Sequence, residues 1–121
     1  MKDAIQSICP FIGAKDYELS RRFYRDFGFE EISVAPNMSY FRMGGFGFYL
    51  QEYFVKDWVD NSMVFLEVTN LKKQLALMKA KNLEAVHPRI RITEIHYNDW
   101  GNEFFIYDPS GILWHIGEFN S

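Results

Sequence analysis

Three histidines, one cysteine and a scatter of carboxylates are the groups of this 121-residue chain best suited to chemistry, and their spacing excludes most of it. His87, beside Pro88, and His96 have no partner at metal-binding or triad spacing, so both read as loop histidines. No Ser-His-Asp or Cys-His constellation is legible, because Cys9 has no identifiable activating base. No catalytic residue is therefore assigned. His115 is different, because it falls in a strand pattern whose alternation turns it away from the core. It reads as a hydrogen-bonded histidine lining a pocket ahead of a ligand or a base. Glu103 is either an acid of the same cavity or a solvated carboxylate at a strand start. Tyr40 and Arg42 alternate out of the core towards a polar ligand. With Phe11, Tyr49, Phe65 and Phe105 they would make a mostly apolar, aromatic pocket holding few polar groups, the usual make-up of a small-molecule site. Trp100, in a loop before a strand, either caps that concavity or anchors the loop. Trp58, on a linker, is either a cavity wall or a dimer contact.

The elements that must position these groups come in two copies, offset by 54 residues. Phe11 pairs with Phe65, Asp16 with Asn70, Phe23 with Leu77, Gly28 with Asn82, Phe29 with Leu83 and Glu30 with Glu84. Asp16 and Asn70 are N-cap types, and Gly28 and Asn82 tolerate the left-handed turn that closes a helix. The first copy reads as a strand over 4–14, a helix over 16–27 with Leu19, Phe23 and Phe27 on one face, and strands over 29–34, 40–43 and 46–52. Gly44-Gly45 marks the hairpin between the last two. The second reads as a strand over 63–68, a helix over 71–81 carrying Leu71, Leu75 and Met78, and a short strand over 83–86. A hairpin follows, 102–107 and 112–118, across the turn sequence Asp108-Pro109-Ser110-Gly111. Residues 54–61 link the copies, and 87–99 is an irregular stretch of the kind that covers sites.

Period-2 alternation assigns faces. Ile8, Ile12 and Ala14, like Val64, Leu66 and Val68, should face the helices, with Phe46, Phe48, Leu50, Ile112, Trp114 and Ile116 in the core. Cys9, Phe11, Gly13, Tyr49, Gln51, Met63, Phe65, Glu67, Leu113 and His115 then face a concavity. The expected fold is α+β: two βαβββ units, about 4–53 and 62–119, in a single domain spanning 1–121. Together they form a curled mixed sheet with helices on its convex face and an open concave cavity.

Composition narrows the partners. The chain carries 12 Phe, 7 Tyr and 3 Trp, more rings than a core of this size needs. A net charge of −3 argues against nucleic acid, which selects a basic stripe. The single cysteine rules out an internal disulfide and suits a reducing compartment. No signal-peptide core or membrane-length apolar run is present, so the expectation is a soluble, cytoplasmic protein with no membrane partner.

Two segments carry a family resemblance that spans nearly the whole chain. One is Pro10-Phe11-Ile12-Gly13-Ala14-Lys15-Asp16-Tyr17-Glu18-Leu19-Ser20-Arg21-Arg22-Phe23-Tyr24-Arg25-Asp26-Phe27-Gly28-Phe29-Glu30; the other is Asp99-Trp100-Gly101-Asn102-Glu103-Phe104-Phe105-Ile106-Tyr107-Asp108-Pro109-Ser110-Gly111. Both resemble the vicinal oxygen chelate superfamily, and the Trp-Gly-x-Glu-Phe run points to its glyoxalase/bleomycin-resistance branch. The resemblance implies four metal-ligand positions, occupied here by Cys9, Tyr49, Met63 and His115. Iron, nickel, manganese and zinc are poorly served by a thioether and a phenol that ionises only near pH 10. No metal or other cofactor is therefore expected, although Cu(I) on Cys, Met and His is chemically conceivable.

The resemblance also implies a homodimer, with Pro10 near the point where bleomycin-binding relatives exchange their first strand. The expected function is sequestration of an aromatic or amphipathic small molecule through Phe11, Tyr40, Arg42, Tyr49, Trp58, Met63, Phe65, Trp100, Glu103, Phe105 and His115. A bleomycin-like antibiotic is one candidate, although the chain is only mildly acidic for a cationic ligand. The alternatives are a lyase, isomerase or dioxygenase of the same superfamily with an atypical metal site, and a protein-interaction domain.

Overall fold

A computed structural model describes all residues, Met1–Ser121. After a 3-10 turn at Lys2–Ala4, the first half runs β1 (Phe11–Ala14), α1 (Tyr17–Phe27), β2 (Glu30–Ala35), β3 (Met38–Met43) and β4 (Phe46–Glu52). A short helix, α2 (Lys56–Asp60), leads into β5 (Met63–Glu67), α3 (Leu71–Ala80), α4 (Leu83–Val86), β6 (Arg91–Ile92), β7 (His96–Tyr97), β8 (Gly101–Tyr107) and β9 (Leu113–Phe119). Each half makes its own mixed sheet with the same wiring. β1 lies parallel to β4, which pairs with β3 and then β2; β5 lies parallel to β9, which pairs with β8, and β8 pairs with β6 and β7. No helix is long and apolar enough to cross a membrane.

Local chemistry explains most element ends. The Asp16 side chain accepts from the Leu19 N–H and starts α1, while Gly28, at φ 130°, returns its N–H to the carbonyls of Tyr24 and Arg25. Asn82 closes α3 in the left-handed region, as its pairing with Gly28 suggests. The parallel with Asp16 fails at Asn70, whose side chain makes no cap. Glu118 on β9 does that work instead, accepting from the Asn70 and Leu71 N–H groups at 2.8 and 3.2 Å.

Four further expectations are corrected. The first strand is Phe11–Ala14 rather than 4–14: Pro10 has no N–H, and its carbonyl accepts the last rung, from Tyr49. Ile8, expected against the helices, is consequently 90% exposed. Residues 83–86 are helical, because Leu, Glu and Ala favour the turn and the N–H of His87 closes it on Leu83. Phe46 is exposed at the free start of β4, and Leu77 lies on the solvent side of α3, so it does not repeat the role of buried Phe23.

One core joins the halves. Trp114 touches the rings of Tyr24, Phe27, Phe29 and Phe48, all from the first half. Its indole N–H donates to the Tyr24 hydroxyl at 2.9 Å, and that hydroxyl donates to Asp108 Oδ2 at 2.6 Å. The other Asp108 oxygen accepts from the N–H groups of Ser110 and Ile112 and holds the turn. The helix motif and the Asp-Pro-x-Gly motif are thus two ends of one buried hydrogen-bonded chain. Burial raises the Asp108 carboxyl to about 6, although Tyr24 and the turn amides oppose the shift. The Tyr24 phenol is pushed well above its ordinary value by burial and by the charge of Asp108.

Candidate functional site

The outward faces of the two sheets carry two separate groups of side chains. On the second sheet, parallel register sets Phe65 beside His115, and antiparallel register sets Phe105 on its other flank. His115 stacks on Phe65 at 6.2 Å between centroids and meets Phe105 edge-on at 5.0 Å. Trp100 and Phe119 close on Phe65 at 6.0 and 5.5 Å, and His96 stacks on Phe105 at 5.0 Å. Gly117 makes this platform possible, because a Cβ there would lie 2.5 Å from the Phe65 ring. Phe65, Trp100 and Met63 remain exposed, so the platform faces solvent and is no part of the core.

Polar groups are fixed behind these rings. Glu103 is buried, 8% exposed, with one carboxylate oxygen 2.7 Å from His115 Nδ1 and the other accepting from Asn98 Nδ2 at 3.1 Å. Its two oxygens are therefore committed, and they set the ring so that Nε2 points at Met63 Sδ, 3.4 Å away.

The first sheet carries a smaller group. Phe11 stacks on Tyr49 at 5.1 Å, Tyr40 leans on Tyr49 at 5.1 Å and over Gly47, and Cys9 Sγ lies 3.9 Å from the Tyr40 hydroxyl. The contact with Cys9 pushes the Tyr40 phenol up. Arg42 is exposed and paired with Glu30 at 3.3 Å. Trp58 covers Gly13 and packs with Tyr53 at 5.6 Å, so it is partly used in holding α2 to β1.

The structure thus brings Met63, Phe65, Trp100, Glu103, Phe105 and His115 together. It sets Phe11, Tyr40, Arg42 and Tyr49 apart from them: no ring contact or hydrogen bond within the chain joins the two groups. Asn98 and Phe119 escape the sequence reading, and His96, expected as a loop histidine, stands on the short strand β7 instead. For Phe119 the signal is present, since alternation from His115 through Gly117 puts it on the platform. Asn98 and His96 lie in the irregular stretch, where no periodicity marks a face.

Two histidines and one cysteine occupy quite different settings. His87 is buried, with Nε2 2.7 Å from Asp26 Oδ2 and its ring edge-on to Phe23, which makes it a tie between α1 and the end of α4. Nowhere in the chain do three His, Cys, Asp or Glu side chains converge at ligating distance. Met63 brings a thioether to His115, whose Nδ1 is already engaged, while Cys9 precedes β1 and lies against Tyr40, and Tyr49 belongs to the other sheet. This donor set does not fit the divalent centre that the family resemblance implies.

A further apolar cleft of about 500 Å³ opens between the start of β4 and the edge of β5. Pro10, Phe46, Phe48, Leu66, Val68 and Trp114 line it. Phe65 and Glu67 of the second-sheet face also border it, so it adjoins that aromatic platform, and β5 has no partner strand on that edge.

Against this geometry, solved structures supply the class. No protein-family sequence model matches the chain, and no characterised protein matches it by sequence. The fold is nonetheless that of a bleomycin resistance determinant encoded on the transposon Tn5, with a TM-score of 0.80 at 16% identity, covering 97% of this chain and 100% of that one. A bleomycin-binding protein from bleomycin-producing Streptomyces verticillus, complexed with copper(II)-bleomycin, gives a TM-score of 0.78 at 19% identity over 96% of this chain and 98% of the other. Lactoylglutathione lyase from Agrobacterium tumefaciens gives 0.69 at 20% identity, over 95% of each chain. The architecture is therefore the fold these bleomycin-binding and lactoylglutathione lyase structures share. At these identities the likeness defines the fold, and the activity has to be argued from the residues.

Proposed function

We propose that the protein binds an aromatic or amphipathic small molecule on the ring-lined faces of its sheets and holds it without metal chemistry. The observation that carries this reading is the cluster of Phe65, Trp100, Phe105, His115 and Phe119, which share ring contacts yet stay outside the core. Rings in that arrangement offer stacking surface, and Glu103 and His115 behind them supply orientation. The neighbours that are bleomycin-binding proteins support a binding role on this fold, while the mild charge of −3 favours a ligand less cationic than theirs need be.

The working unit of the proposal is a homodimer in which each first-sheet group faces a second-sheet group of the partner. Two observations support it: the groups do not meet within one chain, and the N-terminal segment runs beside Gly45, Phe46 and Gly47 at the start of β4 with Ile5 and Ile8 exposed, while β5 has no partner strand on its outer edge. Exchange of that segment between copies, hinged at Pro10, would cover the apolar cleft.

The test is a titration of tryptophan fluorescence with a panel of aromatic antibiotics that includes bleomycin. Saturable quenching that disappears in Trp100→Phe but not in Trp58→Phe is expected. A silent panel, or one ion per subunit retained on purification and lost with His115→Ala, would reverse the proposal.

A further inference from the structure

β7 separates two surfaces of the second sheet. Its alternation sends His96 to the ring platform, stacked on Phe105, and Tyr97 to the opposite, helical side. There Tyr97 and Ile95 stand across from α3 and enclose a groove of about 470 Å³, with Leu75 and Ala76 completing its apolar floor. Lys72 and Lys79 flank that floor along the helix, and Glu94 borders it from the facing loop. Lys72, Leu75, Ala76 and Lys79 recur at the spacing of one helical face, so they form a single stripe with a cation at each end. Leu75 is buried and Tyr97 exposed, so the floor runs from the core out to solvent.

The charge on this side is unbalanced. Residues 71–81 hold four lysines, Lys72, Lys73, Lys79 and Lys81, and no carboxylate, in a chain whose net charge is −3. The acids near the helix are already committed. Glu118 accepts from the Asn70 and Leu71 N–H groups, Glu84 accepts from the Ile92 N–H, and Glu94 pairs with Lys79. Lys72 and Lys73 therefore have no carboxylate partner, since Lys56 and Lys79 are the lysines that form ion pairs. The Glu94 side chain is 81% exposed, so a carboxylate already crosses the groove in open solvent to reach a helix lysine.

We propose that this groove docks an acidic amphipathic helix of a protein partner, its apolar stripe on Leu75, Ala76, Ile95 and Tyr97 and its carboxylates on Lys72 and, in place of Glu94, on Lys79. The inference goes beyond the ligand-binding reading and does not depend on it, because the groove and the ring platform lie on opposite faces of the sheet. Charge complementarity and shape choose the occupant. Seven residues of helix rise about 10 Å, so glutamates seven residues apart on a partner helix meet both lysines, and leucines between them meet the floor. β7 is only His96–Tyr97, too short a ladder to recruit an extended strand. A lipid surface is too flat to reach the recessed floor and would find only half-exposed Leu77 to take up from α3. A nucleic acid has phosphates for the lysines but no use for apolar side chains between them.

The test uses the intact protein and a fluorescein-labelled synthetic helix with glutamates seven residues apart and two leucines between them, followed by fluorescence anisotropy. A counterpart with glutamine for glutamate should bind about tenfold more weakly, the loss expected for two exposed ion pairs. Glu94→Gln, which frees Lys79, should tighten binding of the glutamate peptide by about threefold. Glu52→Gln, the same change of net charge on β4, should leave it unaltered. Ala76→Glu plants a carboxylate between Lys72 and Lys79 at an exposed helix position. It should abolish binding while circular dichroism and thermal unfolding stay those of the unmodified protein. Equal affinity for the two peptides, or an equal response of the Glu94 and Glu52 variants, would overturn the inference. So would phosphatidylserine vesicles or a short DNA duplex bound more tightly than the glutamate peptide, since the partner would then be a membrane or a nucleic acid.

Discussion

Replacing Tyr24 by Phe removes one oxygen from the centre of the molecule and should be among the most damaging single-atom changes available. The hydroxyl donates to Asp108 at 2.6 Å and accepts from Trp114 at 2.9 Å, and Tyr24, Asp108 and Trp114 are all essentially inaccessible. Its loss leaves an indole N–H and a carboxylate oxygen buried without partners. At about 1–3 kcal/mol for each such group, and more for a charged one, the loss at neutral pH should be about 3–5 kcal/mol. The effect also carries a pH signature. Asp108 has a folded pKa of about 6 against an ordinary 3.8, so the folded state binds more protons between those values and stability falls as pH rises through that window. At 1.36 kcal/mol per unit this is about 3 kcal/mol, fully present below pH 3.8 and lost above pH 6. The Tyr24 hydrogen bond works against the raised pKa, so Tyr24→Phe should push it higher and carry the fall in stability further towards neutrality. Urea denaturation followed by far-UV circular dichroism at pH 5 and pH 8 measures both effects. The penalty should be larger at pH 8; a loss below about 1 kcal/mol that is equal at the two pH values would refute the reasoning.

Three further outcomes follow from single contacts. Burial would raise the Glu31 carboxyl, but hydrogen bonds from Arg21 and Ser39 and the charges of Arg21 and Arg25 hold it below its ordinary 4.5. Its contribution is therefore present above that value and lost as pH falls below it, opposite in sign to Asp108, and Glu31→Gln should cost about 1–3 kcal/mol at pH 7 and much less at pH 3 by the same denaturation assay. Gly13→Ala places a Cβ 2.5 Å from the Trp58 ring and from the Tyr53 carbonyl, so a loss of about 1–3 kcal/mol with a shifted tryptophan emission is expected. Gly117→Ala meets only the Phe65 ring, which is free to swing outwards; stability should change little, while ligand binding measured by calorimetry should weaken by about tenfold as the platform opens.

What the sequence makes legible here depends on how far a signal has to reach. Asp16 and Gly28 bound α1 through contacts within a few residues, and both can be read directly. Strand alternation likewise places Phe65, Phe105 and His115 on one face, because register transmits faces without knowledge of partners. Asn70 has the right residue type for a cap, yet its helix is capped by Glu118 from another strand. Residues 83–86 had too few positions for periodicity to separate a strand from a helical turn. The exposure of Phe46 and Ile8 reflects sheet edges, and edges are a property of the assembled fold. The bond between Glu103 and His115 is of the same kind: both residues can be singled out along the chain, but only the pairing of β8 with β9 shows that one orients the other. The contact of Tyr24 with Asp108 joins the two motifs that carry the family resemblance, and neither motif alone announces it.

The central claim is that this fold serves here as a ligand-holding surface that needs no metal. A thermal-shift screen of the full chain against aromatic antibiotics, each run with and without a chelator, tests it most directly. A ligand at a hundred times its dissociation constant should stabilise the protein by about 2.7 kcal/mol, with the same shift in both arms. No shift across the panel, or a shift that the chelator abolishes and a divalent ion restores, would contradict the account.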